Sequence, residues 1–102
     1  DLEDFVSYCE TPEVGATGKG TSYRNGIQYL CNYLHIDTSS FSSSDLNTIK
    51  NRESEISNRK SDFYKNLLEY LKNKGRRSYL ESGFIRAALP YFYDFCKING
   101  IE

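Results

Sequence analysis

Long apolar runs, histidine and cysteine are all scarce in this chain of 102 residues. No stretch approaches the ~20 consecutive apolar residues that span a bilayer, so we expect no membrane partner. The first residues are acidic, whereas a secretion signal begins with basic and then apolar residues. We therefore predict a cytoplasmic domain.

The single histidine, His35, has no second histidine to join it. A metal site needs several ligands at defined spacing, so we expect no metal and no other cofactor. The serine-rich stretch 39–44 lacks an oriented histidine base. Glu53 and Glu55 fall on opposing helical faces and cannot form a catalytic pair. We therefore expect no catalytic residue, no small-molecule substrate and no enzymatic activity in this domain alone.

The three cysteines, Cys9, Cys31 and Cys96, are an odd number at wide separations. Each falls on the apolar face of a predicted helix. A disulfide framework normally has an even number of cysteines in a small secreted domain. The pattern therefore favours buried free thiols.

Apolar residues recur at helical spacing along the chain, and strict alternation with β-branched residues is absent. Hydrophobic residues make up 38% of the chain and aromatic residues 15%, which is enough for one core. We predict an all-α fold, a compact bundle of four or five helices with no significant sheet. We expect residues 1–102 to form one helical domain, excised from a longer protein. Within it, 1–20 are a short acidic helix with a glycine-rich loop, and 21–97 are the helical core.

Local signals set the boundaries expected for the middle helices. Ser42 and Asp45 have the spacing of a capping box. Helices are expected over roughly 45–57 and 61–73, with a bend between them and Ser61 as the cap of the second.

The last helix admits two interpretations. Ser78 and Glu81 have the spacing of a capping box, which favours a helix from Ser78. A continuous helix would be kinked near Arg86, because Pro90 removes a backbone hydrogen bond. Alternatively, a short turn precedes a helix that begins at Ser82.

The second and last helices are expected to form the central pair of the bundle. Their apolar stripes, with that of the helix over 61–73, predict the core. The side chains expected to be buried are Leu30, Leu34, Leu67, Leu71, Phe84, Ala88, Phe92 and Phe95.

The stretch "GATGKGT", residues 15–21, has a superficial likeness to a phosphate-binding loop. Its glycines have the wrong spacing, and no apolar strand precedes it. The composition is that of a flexible loop.

Charge is unevenly distributed, although the net charge is only −1. Residues 1–14 carry five acids and no base, whereas residues 50–77 carry nine bases against four acids. Basic side chains gain affinity for nucleic acid by displacing counterions from phosphates, so local clustering matters more than net charge. The predicted DNA-phosphate contacts are Lys72, Lys74, Arg76, Arg77, Ser78 and Tyr79.

Two other interpretations of this cluster remain open. Basic side chains at the end of one helix and before the next are ordinary at solvated helix termini. The cluster could also meet a protein partner. In the phosphate interpretation, a helix starting at Ser78 offers free amides to a phosphate, and Tyr79 stacks on an exposed base.

The segments "TSYRNGIQYLCNYL" (21–34) and "SYLESGFIRAALPYFYDF" (78–95) resemble the small helical domains that precede the catalytic region of bacterial restriction-type nucleases, notably HNH endonucleases and modification-dependent systems. They are also similar to the core-binding domain of tyrosine recombinases. The positions that match are Tyr23, Ile27, Leu30, Leu34, Tyr79, Gly83, Ala87, Ala88, Leu89, Phe92 and Phe95.

The resemblance implies a non-catalytic, DNA-associated module of a larger restriction or defence nuclease, with the endonuclease activity in another domain. Duplex DNA is then the expected partner. The alternatives are a protein-interaction or oligomerisation domain, which would bind another domain of the parent protein or a second copy, and the core-binding domain of a recombinase.

Overall fold

The computed structural model describes all 102 residues, and every regular element in it is helical. The predicted all-α class without sheet is confirmed. The predicted count of four or five helices is too low, because two helices contain a single turn each and are too short for helical periodicity to reveal. The α-helices are α1 (Leu2–Glu10), α2 (Gly20–Tyr33), α3 (Ser43–Lys50), α4 (Glu53–Ile56), α5 (Asp62–Asn73), α6 (Ser78–Glu81) and α7 (Phe84–Ile98).

Helix α2 lies at the centre of the bundle and packs against both α1 and α7. A Cβ atom on Gly26 of α2 would lie 3.3 Å from Cγ1 of Ile85 in α7, so glycine permits this close approach. The ring of Phe92 in α7 is 3% exposed and meets the ring of Phe5 in α1 edge to face, at 5.5 Å. These contacts join the three helices into one core.

A side chain of α1 binds the end of the glycine-rich loop, where α2 begins. The carboxylate of Glu10 accepts hydrogen bonds from the amides of Gly18, at 2.8 Å, and Gly20, at 2.9 Å. The N-terminal amides of a helix lack partners within the helix, and the residue at the cap position of α2 supplies no side-chain hydrogen bond. The Glu10 carboxylate bonds the first of these amides, that of Gly20. These bonds lower the pKa of Glu10, since they favour its charged form.

Two predicted caps are present. Ser42 and Asp45 form the capping box at the start of α3, and Ser61 Oγ accepts a hydrogen bond from the Tyr64 amide at 3.0 Å. The predicted helix 45–57 is interrupted, since α3 ends at Lys50 and α4 begins after it.

The end of the chain follows the interpretation of a turn and then a helix. Ser78 does not cap a helix: it is the first residue of α6, and Arg77 occupies the cap position without a side-chain hydrogen bond. Helix α7 begins at Phe84, two residues after the expected Ser82, and continues through Pro90. Gly83 precedes it with φ +80°, a conformation that glycine adopts readily.

The core is largely the predicted one. Leu34 and Phe95 are half-buried, and the prediction for Phe84 is wrong, because its side chain is 37% exposed. The buried stripe of α7 is centred on Ile85 and Leu89, so Phe84 falls on its edge in the first turn. The predicted core residues that are buried are Leu30, Leu67, Leu71, Ala88 and Phe92.

The three cysteines are buried free thiols, as predicted. Burial raises the pKa of Cys9 to about 11 and that of Cys31 to about 12. None of the seven helices combines the length and the apolar character needed to cross a bilayer.

Candidate nucleic-acid interface

Lys72, Lys74, Arg76 and Arg77 surround the connection between α5 and α6, and all four side chains are exposed. We call these four residues the basic junction. The ammonium of Lys74 lies 5.0 Å from the ring centroid of Tyr70. Only Arg77 has a carboxylate partner within ion-pair distance. The junction therefore presents its cations to solvent.

The partner of Arg77 is Glu81, one helical turn later, with Nε and Oε1 3.3 Å apart. Both side chains are largely exposed. Such a pair contributes only about 0 to 1 kcal/mol and is screened by salt. A phosphate can therefore compete with Glu81 for the guanidinium.

The structure corrects the role expected for Ser78. The capping box with Glu81 is absent, because Ser78 is the first residue of α6 and Arg77 occupies the cap position. Helix α6 has four residues, so it lacks the aligned dipoles that make the start of a longer helix attractive to anions. The expected phosphate site at a helix start therefore has little physical basis, and Ser78 contributes only an exposed polar residue.

Tyr79 is half-buried and anchored to α2. Its hydroxyl accepts a hydrogen bond from Nδ2 of Asn25 at 3.2 Å. Its ring lies 5.4 Å from that of Tyr29. The side chain is thus held in place by residues fifty or more positions earlier in the sequence.

Two further arginines, absent from the prediction, lie beside α6. Nη2 of Arg59, from the connection between α4 and α5, lies 3.4 Å from the carbonyl oxygen of Glu81. Nη2 of Arg86, in α7, lies 3.0 Å from the position that a Cβ atom on Gly83 would occupy. Both side chains belong to exposed residues. The approach of Arg59 depends on tertiary packing, so spacing in the sequence does not predict it.

The acidic segment at the start of the chain is largely engaged within the domain. Asp1 caps α1 by accepting a hydrogen bond from the Asp4 amide at 3.0 Å. Glu3 forms an ion pair with Arg24 of α2, and Glu10 binds the loop amides. This segment therefore offers less free negative charge to a basic protein partner than its composition indicates.

A pocket of about 240 Å³ lies between the start of α1, the turn Thr38–Ser40 and the end of α7. Phe92, Phe95 and Cys96 are among the residues that line it. Burial raises the pKa of Cys96 to about 11, so this thiol stays protonated near neutral pH. No three histidine, cysteine or acidic side chains come close enough together to hold a metal ion.

The positions that resemble restriction-type and recombinase domains are mainly packing positions. Tyr23, Ile27, Leu30, Leu89 and Phe92 are all buried. Similar residues at buried positions indicate similar helix packing, and they carry little information about what the domain binds. Comparison of the chain with models of protein families, with curated proteins and with solved structures finds no match.

Proposed function

We propose that this domain is a non-catalytic module that contacts DNA phosphates through the basic junction. The observation that supports the proposal best is the exposure of four cations, Lys72, Lys74, Arg76 and Arg77, with one exposed acidic partner among them. Each cation that neutralises a phosphate releases condensed counterions, which favours binding entropically. Arg59 and Arg86 enlarge the positive surface beside α6.

The wider proposal is that the domain serves a larger restriction or defence nuclease. It rests on the resemblance of segments 21–34 and 78–95 to the helical domains of such enzymes. The catalytic groups would then belong to another domain of the parent protein, while this domain would hold the DNA backbone. The core-binding domain of a tyrosine recombinase would use the same kind of phosphate contact. The catalytic motif in the other domain of the parent protein would distinguish a nuclease from a recombinase.

Duplex binding at low salt tests the proposal. Fluorescence anisotropy of a labelled duplex should detect binding by the wild-type domain and weaker binding by the double variant Arg76→Gln, Arg77→Gln. The matched control is Lys19→Gln with Lys97→Gln, which removes the same charge from exposed positions outside the junction. Absence of binding at low salt, or an equal loss in the control, would contradict the proposal.

A further inference from the structure

Phe84 is one of two large hydrophobic residues that are exposed, and the other is Ile98. They lie in the first and last turns of α7, so roughly 20 Å separates them along the helix axis. Ile98 lies beyond the core stripe in the last turn. Phe84, in contrast, continues an aromatic cluster that is already partly exposed.

Three rings form this aromatic row, which we define as Tyr29, Tyr79 and Phe84. The ring centroids of Tyr79 and Phe84 are 5.9 Å apart, and those of Tyr29 and Tyr79 are 5.4 Å apart. Tyr79 is fixed by its hydrogen bond from Asn25. Neighbouring rings are tilted by 50° and 54°, so a flat ligand stacks on one ring at a time. The middle ring is already positioned, which limits the conformational entropy lost on binding.

Guanidinium groups also lie at the turn between α6 and α7, which joins Tyr79 to Phe84. Nη2 of Arg59 lies 3.4 Å from the carbonyl oxygen of Glu81, and Nη2 of Arg86 lies 3.0 Å from the position of a Cβ atom on Gly83. Glu81 is the single acid between residues 70 and 93. The surface thus combines an exposed aromatic ring with an excess of guanidinium groups.

We infer that the aromatic row binds an unpaired nucleobase of a single-stranded nucleic acid, while the adjacent arginines contact the phosphates that flank it. The inference rests on the proposed function and adds an unpaired strand to the DNA that the domain binds. Aromatic side chains stack on the face of any base, and a groove of cations follows the backbone. Bases within a duplex are already stacked and cannot reach Phe84 without leaving the helix.

A comparison of two labelled probes separates this inference from the proposed function. The probes are a short oligothymidylate and a blunt duplex of the same length, titrated at low salt by fluorescence anisotropy. Phe84→Leu removes the aromatic face and keeps the apolar volume, whereas Phe84→Tyr keeps the face. Ile98→Ala changes the other exposed hydrophobic residue and serves as the matched control. Far-UV circular dichroism verifies that each variant is folded.

The inference predicts that Phe84→Leu weakens binding of the single strand by about fivefold or more and leaves duplex binding unchanged. Phe84→Tyr and Ile98→Ala should bind both probes like the wild type. If Phe84→Leu leaves single-strand binding unchanged while the Arg76, Arg77 double variant weakens duplex binding, the inference is wrong and the proposed function stands. If the wild-type domain binds neither probe, both are wrong.

Discussion

Nε of Arg77 lies 3.3 Å from Oε1 of Glu81, across one turn at the point where α6 begins. The capping box that the sequence predicts between Ser78 and Glu81 is absent, because Ser78 is the first residue of α6. The pair of Arg77 with Glu81 places a carboxylate against a residue of the basic junction. Glu81 therefore competes with any phosphate for Arg77, and its removal should have a measurable effect on binding.

Glu81→Gln should strengthen binding of nucleic acid by about two- to fivefold at low salt, because it frees Arg77 and removes a repulsive charge. Anisotropy titrations against the wild type provide the measurement. Glu13→Gln makes the same change of charge at an exposed position in the early loop and should have little effect. Equal gains in both variants would show that only net charge matters.

Phe92→Ala should lower the free energy of unfolding by roughly 3 to 5 kcal/mol, since the ring is buried against Phe5 and Phe41. Chemical denaturation followed by circular dichroism measures the change. Ile98→Ala, at a side chain that is 70% exposed, should change stability by less than about 0.5 kcal/mol. A small effect of Phe92→Ala would contradict the core described above.

The bonds from Gly18 and Gly20 to Glu10 predict a pH dependence of stability. Because the folded-state pKa of Glu10 is lowered, its contribution is present above the ordinary glutamate value of 4.5 and is lost as pH falls through the folded-state pKa. Thermal unfolding of Glu10→Gln should show lower stability at neutral pH and a weaker decline in acid than the wild type. Glu13→Gln should retain the wild-type profile, and an identical profile for both variants would exclude this role of Glu10.

The native thiols should react slowly with a water-soluble disulfide reagent. Cys9, Cys31 and Cys96 are buried, and burial raises the pKa of each, so little thiolate is present near neutral pH. All three should react promptly in denaturant. Fast reaction of one thiol in the folded protein would show that its helix opens readily.

Local features of the fold could be predicted from the sequence. The capping box of Ser42 with Asp45 and the cap at Ser61 depend on residues three positions apart, so spacing identifies them. Ser78 with Glu81 has the same spacing, yet Ser78 lies inside α6 and Arg77 occupies the cap position. Spacing alone does not show at which residue a helix begins.

Features that depend on contacts between distant segments could not be predicted. Phe84 fits the helical stripe of α7 but lies on its edge, and which edge is covered depends on how α7 packs against the other helices. Arg59 approaches the carbonyl of Glu81 across twenty-two positions of sequence. The basic junction can be predicted because its charges are close together in the sequence, whereas Arg59 comes to the end of α6 from another element.

The salt dependence of duplex binding tests the central claim, contact between the basic junction and DNA phosphates, most directly. If all four cations neutralise phosphates, a plot of log Kobs against log salt concentration should have a slope of about −3.6 for the wild type and about −1.8 for Arg76→Gln with Arg77→Gln. The control Lys19→Gln with Lys97→Gln should keep the wild-type slope. A slope near zero for the wild type, or the same slope for the wild type and the junction variant, would contradict the account.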